Sequence, residues 1–378
     1  MTLVLSDAQA LLLRLRGQRL SVREACSSDA VARITKGVCG VQAQDARAAA
    51  LAVQARGTKV RANDVERARV EERSIVRTWC MRGTLHLLAA EDVGWLMALH
   101  GPVFIAKSQR RYQQLGLDED TCARGDRVLR QALSAGAALT RAQIVERLAA
   151  QGIQLSGQAE YHFLRRAALQ GVVCFGPDVE REPTYVLAAE WIRDGLRMTR
   201  EDAQVELVTR YLQGYAPAGF EDLVTWSGLP AGELRAAWRG VASQAIEVKV
   251  GEAPAFVHRS QEPWLREVQV RARAPIVCLL PSFDTYLLGY RDRSLVVASR
   301  YAKHIHPGGG VLHPTLVVDG RASGTWRLDR RGGALELVVQ PFEALPRAVR
   351  DGLELEASRV SEFLGEPATM VVHPPIAR

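Results

Sequence analysis

The sequence predicts an α+β fold: three tandem winged-helix units, then a C-terminal antiparallel β-domain with a closing helix. Three observations carry this expectation. Short amphipathic helices followed by a pair of β-rich runs recur three times, the order of a winged helix. After Trp264 the pattern changes to short strand-like runs punctuated by glycines. Pro346 to Leu364 then carries one apolar stripe, Val349, Leu353, Ala357, Val360 and Leu364, at helical spacing. The expected boundaries are 1–120, 121–198 and 199–264 for the winged helices and 265–378 for the β-domain.

In the first unit, Ser6 to Leu15 and Asp29 to about Lys36 read as helices. Asn63 to Ala68 reads as a short third, and Ser74 to Cys80 and Thr84 to Leu88 flank Met81-Arg82-Gly83 as a hairpin. The second unit is the clearest. Asp126 to Ser134 is a short helix, and Thr140 with Gln143 forms a capping-box signature before Ile144, Val145 and Leu148. Gln158 to Gln170 is a helix with Tyr161, Leu164 and Ala168 inward and Arg165 and Arg166 outward, ended by Gly171. Val172 to Phe175 and Thr184 to Leu187 follow as strands. The third unit repeats the order with Ala203 to Gln213, Ala218 to Ser227, Ala231 to Val241 and a hairpin through Gly251. In the C-terminal segment, Ile276 to Leu280, Tyr286 to Leu288, Ser294 to Ala298, Thr315 to Val318, Ser323 to Leu328 and Ala334 to Val339 read as strands. Asp319-Gly320 between two of them is a strong hairpin signal.

With 378 residues, 47% hydrophobic and 24% charged, the chain has the composition of a globular protein of several modules. No apolar run reaches the ~20 residues that cross a bilayer. The opening Met1-Thr2-Leu3-Val4-Leu5-Ser6-Asp7 lacks the basic start and long apolar stretch of a leader, so a cytoplasmic protein is expected. The six cysteines form no CxxC pair and read as reduced, mostly buried thiols. The net charge of +7 is carried almost wholly by arginine, since there are only five lysines. Arginine suits bidentate phosphate and guanine contacts, although a GC-rich genome enriches it without function. Three repeated units favour DNA binding over a protein-interaction array.

Familiar catalytic motifs are absent: there is no GxSxG, HExxH, P-loop or GxGxxG. His304, His306 and His313 match no common metal spacing, so neither metal nor cofactor is expected. Lys107, Arg110 and Arg111 read as a solvated helix face, and Trp79, Trp191, Trp226 and Trp326 as core. The oddest polar feature is Gly37-Val38-Cys39-Gly40-Val41-Gln42-Ala43-Gln44-Asp45, an apolar, glycine-bearing segment with two glutamines. On a helix the two would diverge by about 200°, whereas in an extended segment they share a side. Ala46 to Gln54 is strongly helical, so the pair is expected just before a helix N-terminus, where anionic groups are favoured. On residue type alone, a capping turn with surface glutamines is the favoured reading, since Q-x-Q by itself is a weak signal.

Gly40-Val41-Gln42-Ala43-Gln44-Asp45, Arg77 to His86 (RTWCMRGTLH) and Leu280 to Arg293 (LPSFDTYLLGYRDR), with His313-Pro314-Thr315, Val318-Asp319-Gly320 and Gly324-Thr325-Trp326, resemble the tandem winged-helix DNA glycosylases. These are the AlkZ-like and YcaQ-like proteins, and the resemblance covers essentially the whole chain. It implies three winged helices and a β-domain forming a C-shaped DNA channel. It also implies excision of N7-alkylated purines, with some members unhooking interstrand cross-links. The family's active-site signature is Q-x-Q in the AlkZ-like branch, matched by Gln42 and Gln44; Asp45 falls one place too late for the Q-x-D of the other branch. The DNA-probing H-P-T element maps onto His313, Pro314 and Thr315. Arg77 and Arg82, and Arg165 and Arg166 on the helix of the second unit, are candidates for DNA contact.

The chemistry this implies is sound. Alkylation at N7 makes a purine a cationic leaving group, so strong acid catalysis is unnecessary. A glutamine carbonyl can hold a water or stabilise an oxocarbenium-like sugar. No lysine lies within the motif, which favours a monofunctional glycosylase over a Schiff-base lyase, although Lys36 is close. The expected partner is double-stranded DNA containing alkylated purines, acted on by a monomer in the nucleoid. The alternative is a winged-helix DNA-binding protein or transcription regulator without chemistry.

Overall fold

The computed structural model describes residues 2–192, 195–196, 198–268 and 274–376. The chain forms two compact units, one of Met1–Val65 with Val205–Arg378 and the other of Glu66–Gln204. Among the described residues, no helix is long and apolar enough to cross a membrane.

The smaller unit holds a hairpin, a long helix and a complete winged-helix order. Strands Ile75–Trp79 and Leu85–Ala89 pair antiparallel, with Thr78 opposite His86. Between them Arg82 (φ 55°) and Gly83 (φ 69°) both take the left-handed conformation. Helix Val93–Gln114, expected only around Lys107 to Arg111, contains Pro102. Proline has no N–H for the Ala98 carbonyl one turn back, and Arg200 Nη1 donates to that carbonyl instead at 3.1 Å. Helix Glu119–Ala132, strand Leu139–Thr140, helices Arg141–Ala150 and Gln158–Leu169, and strands Val173–Phe175 and Thr184–Leu187 then follow. Leu139–Thr140 pairs with Thr184–Leu187, which pairs with Val173–Phe175. The capping box forms as expected: Gln143 N–H donates to Thr140 Oγ1 at 3.3 Å, and Thr140 N–H to Gln143 Oε1 at 2.9 Å.

One expectation for this unit needs correcting. The buried face of Gln158–Leu169 is Ala159, Phe163, Leu164, Arg165, Ala167, Ala168 and Leu169. Tyr161, expected inward, is 42% exposed, and Arg165, expected outward, is 9% exposed. The apolar stripe therefore runs through Phe163 and Ala167, and Arg165 falls on it.

In the larger unit, helices Asp7–Gly17, Ala30–Gly37 and Ala46–Gln54 come from the N-terminal sequence. Helices Arg200–Tyr215, Phe220–Ser227 and Ala231–Ala242 lead into a hairpin of Ile246–Val250 and Ala253–Val257. Leu3–Leu5 adds to that hairpin in parallel. Leu5, Leu13, Ala216, Val248, Ala255, Val257 and Leu265 form its core.

The C-terminal sheet has five strands, in the order Val277–Leu280, Thr315–Val318, Arg321–Arg331, Ala334–Pro341 and Ala368–Val372. The first four are antiparallel, with the hairpin at Asp319-Gly320 as expected. The fifth, unforeseen, joins in parallel, because helix Arg347–Leu364 carries the chain back across the sheet. Two expected strands are not strands. Thr285–Leu288 is a helical turn, because the Asp284 carboxylate accepts from Tyr286 N–H and starts it, and residues 294–298 form turns. Helix Asp7–Gly17 closes this core, with Leu11 and Leu15 against Cys278, Leu280, Tyr286 and Val317. Five of the six cysteines are buried and Cys26 is exposed.

Candidate functional site

The glutamine segment begins where helix Ala30–Gly37 stops. Cys39 N–H donates to the Lys36 carbonyl at 3.0 Å and Gly40 N–H to that of Thr35 at 2.8 Å, which folds the chain sharply off the helix end. The turn needs left-handed backbone at Cys39 (φ 50°) and positive φ at Gly40 (101°). Only the second position is a glycine, so Cys39 stores strain. Val41–Gln42 is then extended, with Val41 fully buried and Gln42 7% exposed. Ala43 is buried, Gln44 is exposed, and Asp45 caps the next helix by accepting from Ala48 N–H at 3.0 Å. Helix Ala46–Gln54 starts where the sequence places it. The two glutamines thus both precede a helix entry, one within the protein and one at its surface.

This pairing suits charge stabilisation better than proton abstraction. A glutamine amide neither gains nor loses a proton near neutral pH, so its contribution depends on where its oxygen is held. The exposed Gln44 lies one residue before the cap of a nine-residue helix, near the positive end of its backbone dipole.

The other expected site residues fall into separate settings. His313 is exposed and follows a two-residue turn, with Gly309 (φ 60°) and Gly310 (φ 77°) between a bridged Gly308 and Val311. Positive φ at both central positions is the requirement of a tight primed turn. Val311 is 42% exposed at its edge. The His313 backbone is tied to Ile305 at 3.0 Å, the Pro314 carbonyl accepts from Trp326 N–H at 3.1 Å, and the buried Thr315 hydroxyl donates to the His313 carbonyl at 2.9 Å. Proline and threonine thus hold the backbone, and the histidine side chain is the part turned to solvent.

Arg77 is half-buried, its guanidinium 4.8 Å over the Phe175 ring. Arg82 is half-buried in the left-handed turn. Arg165 donates to Ser108 Oγ at 3.0 Å and to the Gly83 carbonyl at 3.4 Å, so it braces the turn that carries Arg82. Arg166 bonds Gln170 at 2.9 Å and Asp126 at 3.3 Å. Neither points outward as helical spacing suggested. Exposed arginines stand instead on the third helix of the third repeat: Arg235 and Arg239, four apart and clear of the face that buries Leu234 and Trp238. That spacing was visible in the sequence.

Trp79, Trp191, Trp226 and Trp326 are all buried, as expected of core. Lys107 and Arg110 are exposed on the long helix. Burial and the nearby Arg293, 3.3 Å away, lower the His306 pKa to about 4. His304 packs 5.7 Å from Phe342. Among the described residues, no three His, Cys, Asp or Glu side chains cluster as a metal site would require.

The model of one protein family, described as DNA glycosylase AlkZ-like, matches residues 35–363. The chain is 31% identical to a protein of Streptomyces sahachiroi named interstrand DNA cross-link repair glycosylase, over 93% of this chain and 95% of that one. It is also similar to the solved structure of Streptomyces sahachiroi DNA glycosylase AlkZ. There the identity is 27%, the coverage 98% of this chain and 100% of that one, and the TM-score 0.82.

Proposed function

The chain belongs to the family of AlkZ-like DNA glycosylases, enzymes that hydrolyse N-glycosidic bonds in DNA, and on that basis we propose that its substrates are N7-alkylated, cationic purines in duplex DNA. The observation that carries this reading is the Gln42–Gln44 pair at the entry to helix Ala46–Gln54. The lesion is already positively charged, so the C1′–N9 bond breaks with its electron pair returning to the purine. The sugar passes through an oxocarbenium-like state. Gln44, from the solvent side, holds the water that adds to C1′, and Gln42 orients it or faces the positive sugar through its carbonyl. Water supplies the hydroxyl, and its proton leaves to solvent. The products are a free base and an abasic site, with no covalent enzyme intermediate.

The His313 side chain contacts the duplex from its glycine turn, while exposed arginines such as Arg235 and Arg239, with Arg77 and Arg82, contribute phosphate contacts. The name of the Streptomyces sahachiroi relative extends the proposal to unhooking of interstrand cross-links, which requires the same bond cleavage at a cross-linked purine. The protein acts as a monomer in the nucleoid.

Single-turnover incubation with a duplex carrying one N7-methylguanine, followed by alkaline cleavage at abasic sites, tests the reading. Wild type should release the base, and Gln44→Ala should be slower by about 100-fold or more, the loss typical of removing one preorganised polar group. No release by wild type, from this duplex or a cross-linked one, would sink the substrate class. A wild-type rate in Gln44→Ala would sink the glutamine mechanism.

A further inference from the structure

The sequence Leu280 to Arg293 carries much of the family resemblance, and the reaction above uses none of it. Its position in the larger unit shows what it does. Asp284, Gly289 and Tyr290 reach the glutamine segment from two directions, through buried side chains.

The first direction leads to the turn before Gln42. Tyr215 Oη donates to the Val38 carbonyl at 3.0 Å, four residues ahead of Gln42. One turn earlier on the same helix, Arg210 Nη1 donates to the Lys36 carbonyl at 3.2 Å. Tyr215 is itself fixed. Its own carbonyl accepts from Tyr290 Oη at 2.8 Å, and its ring lies against Gly289 so closely that a Cβ there would strike it. It also stacks on Tyr211 at 5.0 Å, whose hydroxyl donates to the Gly289 carbonyl at 2.8 Å.

The second direction leads to the far end of helix Ala46–Gln54. Arg56, two residues past that helix, is fully buried and donates to both Asp284 oxygens at 2.7 and 2.8 Å. It also donates to the Ala52 carbonyl at 2.8 Å and to Gln18 Oε1 at 3.0 Å. Both ends of the stretch that presents Gln42 and Gln44 are therefore tied to residues 284–290.

We infer that Tyr215 is a positioning residue for the glutamine pair, acting through the Val38 carbonyl, with the Arg56–Asp284 pair holding the opposite end of the segment. The inference rests on the glutamine reading above. Neutral glutamines act by placement alone, and the strained turn at Cys39 persists only where its surroundings over-determine it. Loss of one anchor would let the turn relax and shift Gln42.

Tyr215→Phe keeps the ring and removes only the hydroxyl. At saturating enzyme, its single-turnover release rate on the N7-methylguanine duplex should fall ~10-fold, since small misplacements of reacting groups cost this much or more. Its Kd for the same duplex should stay within about 2-fold, because no DNA-facing group changes. Tyr286→Phe is the matched control: it loses an equally buried hydroxyl, which donates to the Gly320 carbonyl at 2.8 Å, away from the segment. It should keep the wild-type rate. If Tyr215→Phe does not accumulate as folded protein, Arg210→Met replaces it, with an expected ~3-fold loss of rate. The inference is overturned if the variant is no slower than Tyr286→Phe, or if DNA affinity and Tm fall in step with the rate. A slow Gln44→Ala beside an unimpaired Tyr215→Phe removes this inference alone; a wild-type rate in Gln44→Ala removes the glutamine reading and this one together.

Discussion

The segments Lys36–Asp45 and Gly308–Thr315 both carry polar side chains that stand out in the sequence, and they are held in opposite ways. The first is gripped from outside: its carbonyls accept from Arg210 and Tyr215, and its strained residue, Cys39, is buried. The second is held through main-chain bonds, within its turn and to Ile305 and Trp326, with no buried side chain among the described residues reaching in to grip it. Its left-handed positions are glycines with open space around them, and its edge residue Val311 is exposed. A buried segment that bears strain suits a group whose place must not vary. An exposed glycine turn suits a group that adapts to a surface it meets.

The largest test of this contrast is Asp284→Ala. It leaves the Arg56 guanidinium fully buried without its carboxylate, and should destabilise the larger unit by about 3–5 kcal/mol in urea unfolding. A loss under about 1 kcal/mol would mean that the far anchor of the glutamine helix bears little load.

Glycine substitutions sharpen the comparison. Gly289→Ala drives a methyl into the Tyr215 ring, and should cost about 1–3 kcal/mol and slow base release as well. Gly309→Ala meets no atom within 4 Å and bears only its φ of 60°, a cost of about 1–2 kcal/mol with base release unchanged on substrate already bound. Equal effects of the two on the rate would erase the distinction between a segment gripped by buried side chains and an open glycine turn.

The smallest expected effect is one of pH. The His306 pKa is lowered to about 4 by burial and by Arg293, against 6.5 for the free side chain. Above pH 6.5 both folded and unfolded chains carry it neutral, and its full contribution is present. Between pH 6.5 and about 4 the unfolded chain takes up the proton first, and stability falls. Half-exposure of the ring limits the loss to about 1 kcal/mol. Urea midpoints at pH 7.5 and 4.5 should therefore lie closer together in His306→Gln than in wild type, and an unchanged gap would mean that burial and Arg293 do not hold His306 neutral.

Much of the architecture was legible because it rests on local signals. The helix at Ala46–Gln54, the Thr140–Gln143 capping box and the Asp319-Gly320 hairpin each follow from residues within a few positions of one another. What escaped depends on distant partners. The parallel strand Ala368–Val372 has a register only against Ala334–Pro341. Residues 286–288 read as a strand until the Asp284 carboxylate, itself paired with Arg56, starts a helical turn. Arg165 looked like a surface cation because helical spacing ranks charge outward, yet Ser108 and the Gly83 carbonyl receive it inside.

The candidate site divides along the same line. The glutamine pair, the helix it precedes and the glycine turn before His313 were determined by the sequence itself, because spacing and φ preference are properties of neighbouring residues. Only the tertiary structure decided that Gln42 is enclosed while Gln44 faces solvent, and that Tyr215 and Asp284 reach the two ends of that stretch. Those contacts join residues about 170 to 230 positions apart, where no local propensity acts and packing alone selects the partner.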